Sequence, residues 1–220
     1  MAVLASGVGS NFQALIDARD AGRLPIELVG LFSDKPAAPA IERARAAQIP
    51  GVALKPKDFP SREAFDEALF DRIAEVQPGL IVCAGYMRIL SAAAIRRFDG
   101  RMINLHPSLL PKYPGLHTHE RALAAGDAEH GASVHVVIPE LDAGFVLAQA
   151  RVPVLQDDDA ETLARRVQSR EHPLLIACVD AIARGRLACD AQPPRFDGEA
   201  LRAPLRLSDE DTLVPAAATP

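Results

Sequence analysis

The chain opens on a short apolar run, MAVLA (1 to 5), which stops at a glycine-rich SGVGSN. It then passes into NFQALIDARDAG, where Phe12, Leu15 and Ile16 recur at helical spacing. This predicts strand, tight turn, helix. The unit returns as IELVGLFS (26 to 33) before AIERARAAQ (40 to 48), and as GVALKP (51 to 56) before SREAFDEALFDRIAEV (61 to 76). In the last of these, Phe65, Leu69, Ile73 and Val76 fall on one stripe. GLIVCAGY (79 to 86) is an unbroken apolar run between turn residues, which suits a strand covered on both faces. Ser91 is placed to cap a helix over AAAIRRF, and RMINLH (101 to 106) supplies the next strand.

Strands alternating with helices predict a mostly parallel α/β sheet with helices on both faces, and ligands of such sheets bind at the strand ends. After residue 130 the pattern changes. ASVHVVIPE (132 to 140) and FVLAQARVPV (145 to 154) are strand-like and joined by LDAG, which predicts a late antiparallel hairpin. Residues 160 to 185 carry a long helical pattern in which Pro173 should cause a kink or a restart. Beyond Gly185 the chain is rich in Pro, Asp and Ala, and its end, VPAAATP, is expected to fray. No internal repeat and no linker interrupts it, so one domain is the economical reading.

Composition narrows the partners. The 220 residues are 49% hydrophobic and 24% charged, enough for a sizeable core. A net charge of -5 with interspersed signs gives no basic stripe for a polynucleotide, so no nucleic-acid partner is expected. Cys83, Cys178 and Cys189 are odd in number and lack disulfide spacing, as in a reduced cytosolic protein. No signal peptide and no membrane span is expected, and the chain reads as soluble and cytoplasmic.

Four stretches carry chemistry. Gly7 to Asn11 stands between strand and helix, where free amides and the Ser10 hydroxyl can anchor one phosphate; the alternative is a turn that needs glycine only for geometry. The GK[ST] ending of a triphosphate loop is absent, and Phe12 stands where a dinucleotide fingerprint has its third glycine. Asn104 and His106 lie two apart at a strand end, so both point to one side of the sheet. A carboxamide can donate to an oxyanion and an imidazole can move protons, as acyl-type transfer requires, although a structural histidine before a proline turn fits too. Pro107, Pro111, Pro114 and Gly115 fix the loop that follows. Asp142, in the hairpin turn, either bonds its local backbone or meets His106 in space, where its charge would orient the ring. Arg88 could hold an anion or be solvated. His117 and His119 form an HxH, but no HExxH occurs and the cysteines are remote, so metal hydrolysis is a second choice and no metal is expected.

Taken together, SGVGSN, SREAFD, AGYMRILS, NLHPSLLPKYPGLHTH, EHGASVHVV, ELDAG and RVQSREH stand in an order that resembles the folate-dependent glycinamide ribonucleotide formyltransferases of purine biosynthesis. The likeness runs from about residue 3 to about 190, and KYPGLHTH is its most discriminating part. It implies a Rossmann-like formyltransferase domain over 1 to 190 and a carboxy-terminal extension over 191 to 220 with a flexible end. It also implies transfer of a formyl group from 10-formyltetrahydrofolate to glycinamide ribonucleotide through a tetrahedral intermediate, without metal, by a monomer or homodimer. By the same resemblance Asn104, a protonated His106 and Asp142 are catalytic. Gly9, Ser10 and Asn11 take the substrate phosphate, and Gln168, Ser169, Arg170 and Glu171 lie near its ribose and glycinamide. Folate follows Met87, Arg88, Ile89, Leu90, Asn104, Ile138, Pro139, Glu140, Leu141 and Asp142, with Arg62 near its glutamate tail.

The sequence departs from that family in places. Its start is a residue or two short, which could trim the first strand. Gly79 replaces a common aspartate, Pro139 a usual acidic residue, and Pro173 follows Glu-His where Tyr-Pro is frequent, which could shift Glu171. A formyl-folate hydrolase releasing formate, and a sugar-phosphate or nucleotide binding protein, are the competing readings.

Overall fold

The first strand forms despite its short start: in the computed structural model, which describes residues 1 to 216, β1 (Ala2–Leu4) is central to a parallel sheet. Two units are recognised, Met1–Asn104 with Val137–Pro139, and Leu105–Val136 with Glu140–Pro220.

In the first, β2 (Gly30–Ser33), β3 (Gly51–Ala53), β4 (Ile81–Cys83) and the start of β5 (Met102–His106) join β1 in the order β5-β4-β1-β2-β3. All pairs are parallel, with Leu4 opposite Phe32 and Cys83, and Val82 opposite Ile103. Side chains alternate across a strand. Ala2, Leu4, Phe32, Ile81, Cys83 and Met102 therefore share one face, which packs with Phe65, Leu69, Phe70 and Ile73 of α3 (Arg62–Glu75) and Ile95 of α4 (Ala92–Arg96). Val3, Leu31, Val82 and Ile103, on the other face, are equally shut from solvent. Burial on both faces explains why these strands read as continuous apolar runs. Each large side chain of the α3 stripe contributes about 1.5–3 kcal/mol by leaving water. Ser61 caps α3 by accepting from the Ala64 amide at 3.1 Å, and Ser91 caps α4. Earlier in the chain, α1 (Ser10–Asp20) and α2 (Pro39–Ala46) follow β1 and β2 as the alternation predicts.

In the second unit, β6 (Glu129–Val136) and β7 (Val146–Pro153) form the expected hairpin, preceded by the short α5 (Thr118–Ala124). α6 (Ala160–Ala183) packs on β6 and β7 and starts from a reciprocal Asp159–Thr162 cap. Pro173 does not end or restart it. The proline removes one intrahelical bond, while buried Leu163 and Val167 before it and Leu174, Leu175 and Cys178 after it hold both halves in one packing stripe. The region beyond Gly185 is more regular than its composition suggests. β8 (Leu187–Ala188), β9 (Arg195–Phe196) and β10 (Glu199–Ala200) form a small antiparallel sheet. β11 (Leu205–Leu207) runs parallel to β7, and β12 (Leu213–Val214) folds back on β11. Of the VPAAATP stretch expected to fray, Val214 pairs with Arg206, and residues 217 to 220 lie outside the described residues.

All three cysteines are free and buried, and burial pushes the Cys83 thiol up to about 12, far from a reactive thiolate. Among the described residues no helix is long and apolar enough to cross a membrane.

Candidate active site

Asn104 and His106 are alternate residues of β5, so their side chains leave the same face of the strand. Asp142 reaches His106: its Oδ2 lies 3.4 Å from the ring Nδ1, with both side chains less than a tenth exposed. The aspartate gets there through an unusual hairpin. Its backbone is left-handed at φ 51°, and two residues on, a Cβ at Gly144 would run into the Val136 carbonyl, so only glycine lets the turn fold back on β6. The Gly115 amide donates to Asp142 Oδ2 at 2.8 Å, which ties the proline loop to the same carboxylate.

A second imidazole faces Asp142. The β6–β7 register slips between Val134 and His135, and such a bulge re-aims a side chain. His135 Nε2 is 3.5 Å from Asp142 Oδ1, and its Nδ1 contacts the Val136 carbonyl at 2.9 Å. His106 repeats the arrangement, with Nε2 2.9 Å from the Tyr113 carbonyl. Each ring sets one nitrogen against a backbone carbonyl and the other against Asp142, and a ring with protons on both nitrogens donates to both. A proton gained by His106 becomes a charge-assisted contact with the carboxylate. Burial lowers the His106 pKa below its ordinary value, against the opposing pull of the Tyr113 carbonyl and Asp142. Burial likewise raises Asp142, but the His135 ring, the Gly115 amide and His106 outweigh it and leave the carboxyl below the usual range. The carboxylate stays charged and the ring is neutral until something supplies a proton.

The loop carrying Tyr113 is anchored by buried polar groups that sequence reasoning missed. Ser133 Oγ donates to the Ser108 carbonyl at 2.7 Å and accepts from the Leu110 amide at 3.0 Å. Gln149 Nε2 donates to the Leu110 carbonyl at 2.8 Å and to Ser133 Oγ at 3.1 Å. The available signal was polar Ser133 and His135 at alternate positions of the otherwise apolar run from 132 to 138. Farther along, Lys112 and Tyr113 both bond Asp127, and Arg121 donates to the Pro114 carbonyl at 2.6 Å. His117 occupies the cap position of α5 beside Glu120, whereas His119 Nδ1 lies 3.1 Å from His130 Nε2. Burial and the neighbouring His119 pull His130 down to about 4. Among the described residues, no group of three or more His, Cys, Asp or Glu side chains is arranged to hold a metal ion.

In the first unit, Gly9 has φ 75°, and a Cβ there would also press on Ala40 of α2 at 2.7 Å. α1 therefore begins with no side-chain cap from Gly9. Arg43 secures the loop by donating to the Val8 carbonyl at 2.8 Å. Ser6 Oγ accepts from the Met87 amide at 2.9 Å, fixing the stretch after β4. There Met87 and Ile89 are more than half exposed, while Leu90 is buried. Arg88 lies over the Phe65 ring at 4.9 Å, and Arg62 pairs with Glu63 at the start of α3. Ile138 is half-buried and Pro139 exposed.

In the second unit, Glu140 and Leu141 are exposed beside Asp142. On α6, Gln168 and Ser169 are exposed and Glu171 half-buried; Ser169 Oγ donates to the Arg166 carbonyl at 2.7 Å. Arg170 turns to Asp211 and the Ser208 carbonyl.

The family described as formyl transferase matches residues 1–179. The chain is 46% identical to the phosphoribosylglycinamide formyltransferase of Escherichia coli, covering 90% of this chain and 94% of that protein. It is 40% identical to that of Haemophilus influenzae, covering 91% and 95%. A solved phosphoribosylglycinamide formyltransferase from Coxiella burnetii superposes with a TM-score of 0.87 at 46% identity, over 91% of this chain and 94% of that one. The chain belongs to the formyl transferase family, within its phosphoribosylglycinamide formyltransferase group.

Proposed function

We propose that the formyl transfer of this group, from 10-formyltetrahydrofolate to the amine of glycinamide ribonucleotide in purine biosynthesis, is carried here by Asn104, His106 and Asp142. The observation that supports it most is the His106–Asp142 contact, made by a strained aspartate that other bonds hold in place.

The substrate amine attacks the formyl carbon and a carbon–nitrogen bond forms. Negative charge grows on the formyl oxygen, where the Asn104 amide donates as an oxyanion hole does. His106 takes up the proton that the attacking amine loses, directly or through water, and Asp142 stabilises the imidazolium that results. As the tetrahedral intermediate collapses, the bond to the folate nitrogen breaks. The proton lost by the amine ends on that nitrogen, passed directly or through water within reach of His106 and Asp142.

The substrates have matching features in each unit. The glycine-led start of α1 at Gly9, Ser10 and Asn11 suits one phosphate, and Gln168 and Glu171 meet the ribose and glycinamide. Met87 to Leu90, with exposed Met87 and Ile89, offer an apolar surface to the folate, and Arg62 a cation to its glutamate. Ile138 and Pro139, and in the second unit Glu140 to Asp142, complete the folate contacts. Residues 191 to 220 are an extension to the formyltransferase domain.

Mixing the protein with both substrates and following tetrahydrofolate spectroscopically tests this. Formation that depends on glycinamide ribonucleotide is expected. Formate released equally fast without that amine marks a hydrolase instead, and no acceptor-dependent signal ends the proposal.

A further inference from the structure

Arg170 lies in the turn of α6 that carries Gln168 and Glu171, and that turn has a built-in weakness. The Ser169 carbonyl would accept from the amide of residue 173, which is a proline and has none. An external tether stands at the same place. Arg170 Nη1 is 2.9 Å from Asp211 Oδ1, and Nη2 donates to the Ser208 carbonyl at 2.7 Å. Both acceptors belong to the turn between β11 and β12, which is closed by its own bonds. Ser208 N donates to the Thr212 carbonyl at 2.9 Å, Asp211 N donates to the Ser208 carbonyl at 3.2 Å, and the Ser208 and Thr212 hydroxyls lie 2.9 Å apart. The hairpin is also fixed at its base. β11 pairs with β7, placing Arg206 opposite Gln149, the residue whose amide anchors the loop after His106.

We propose that the β11–β12 hairpin positions α6 for the acceptor substrate, with Arg170 and Asp211 as its positioning residues. The hairpin holds the weakened helical turn so that Gln168 and Glu171 keep their geometry toward the ribose and glycinamide. This rests on the reading that those two residues meet the ribonucleotide. The Arg170–Asp211 pair, with side chains 25% and 52% exposed, adds little to global stability, so its effect falls on local geometry and not on folding.

Full-length Arg170→Ala and Asp211→Asn decide the matter. Each single change is expected to raise KM for glycinamide ribonucleotide about fivefold, equivalent to about 1 kcal/mol, with little change in kcat, in KM for the folate or in Tm. An unchanged acceptor KM in folded Asp211→Asn overturns the proposal. Failure of the underlying reading shows separately, as an unchanged acceptor KM in Glu171→Gln.

Discussion

Asp142 is held at φ 51°, a region that asparagine and aspartate tolerate better than other side chains, by an amide and two imidazoles. Asp142→Asn keeps the size and an acceptor for Gly115 while removing the charge. Turnover should fall at least a hundredfold, about 3 kcal/mol of barrier, with the circular-dichroism spectrum and Tm near those of the parent. Near-normal kcat in that folded variant would sink the assigned trio. The charge also sets where His106 titrates. Asp142 raises the ring's pKa against the burial that lowers it, so removing the negative charge moves the pKa further down. An NMR titration of the His106 ring should show its midpoint at lower pH in Asp142→Asn than in the parent, and an upward shift contradicts the coupling.

At the level of elements, the strand β7 does more than complete a hairpin, because Gln149 satisfies both the Leu110 carbonyl and Ser133 Oγ inside the protein. Gln149→Leu leaves that buried carbonyl without its donor. A loss of about 1–3 kcal/mol in unfolding free energy is expected, with an unchanged urea m-value and a lower kcat, because the loop also presents the Tyr113 carbonyl to His106. Equal midpoints for variant and parent would remove this role. These links mark the limit of what the sequence made legible. Local patterns were readable: the α3 stripe, the Ser91 cap, the both-faces-buried strands, and the β6–β7 hairpin around LDAG. The placing of Asn104, His106 and Asp142 followed from strand alternation and family resemblance. The bulge that turns His135 toward Asp142 was not readable, since a one-residue register slip leaves no trace in hydrophobic alternation. The pairing of β11 with β7 joins residues more than fifty positions apart through backbone bonds, to which side-chain type contributes little. At Pro173 the local cost was visible in the sequence, while the packing of both helix halves that keeps α6 continuous was not.

Across the whole molecule, the buried histidines concentrate sensitivity to acid in the second unit. His106, His119 and His130 all titrate below the ordinary imidazole value, chiefly through burial, and His130 is at about 4. A lowered folded-state pKa means that the unfolded chain takes up protons first as pH falls. The stability these rings contribute is therefore present above about 6.5 and lost between there and their folded values. His119 and His130 touch, so their contributions are shared and do not add; His130 carries on the order of 2 kcal/mol. The lowered carboxylates Asp142 and Asp127 act in the same direction, but only below about 4. In the first unit, burial raises Asp66, which has the opposite sign: protonation there relieves a cost as pH falls. Unfolding free energy from urea titrations should thus be lower at pH 5 than at pH 7. Hydrogen exchange, corrected for intrinsic rates, should show α5 and β6 losing protection at pH 5 while β1, β2 and β4 keep theirs. Equal loss in both units, or no loss in either, would mean that the buried rings do not govern acid stability.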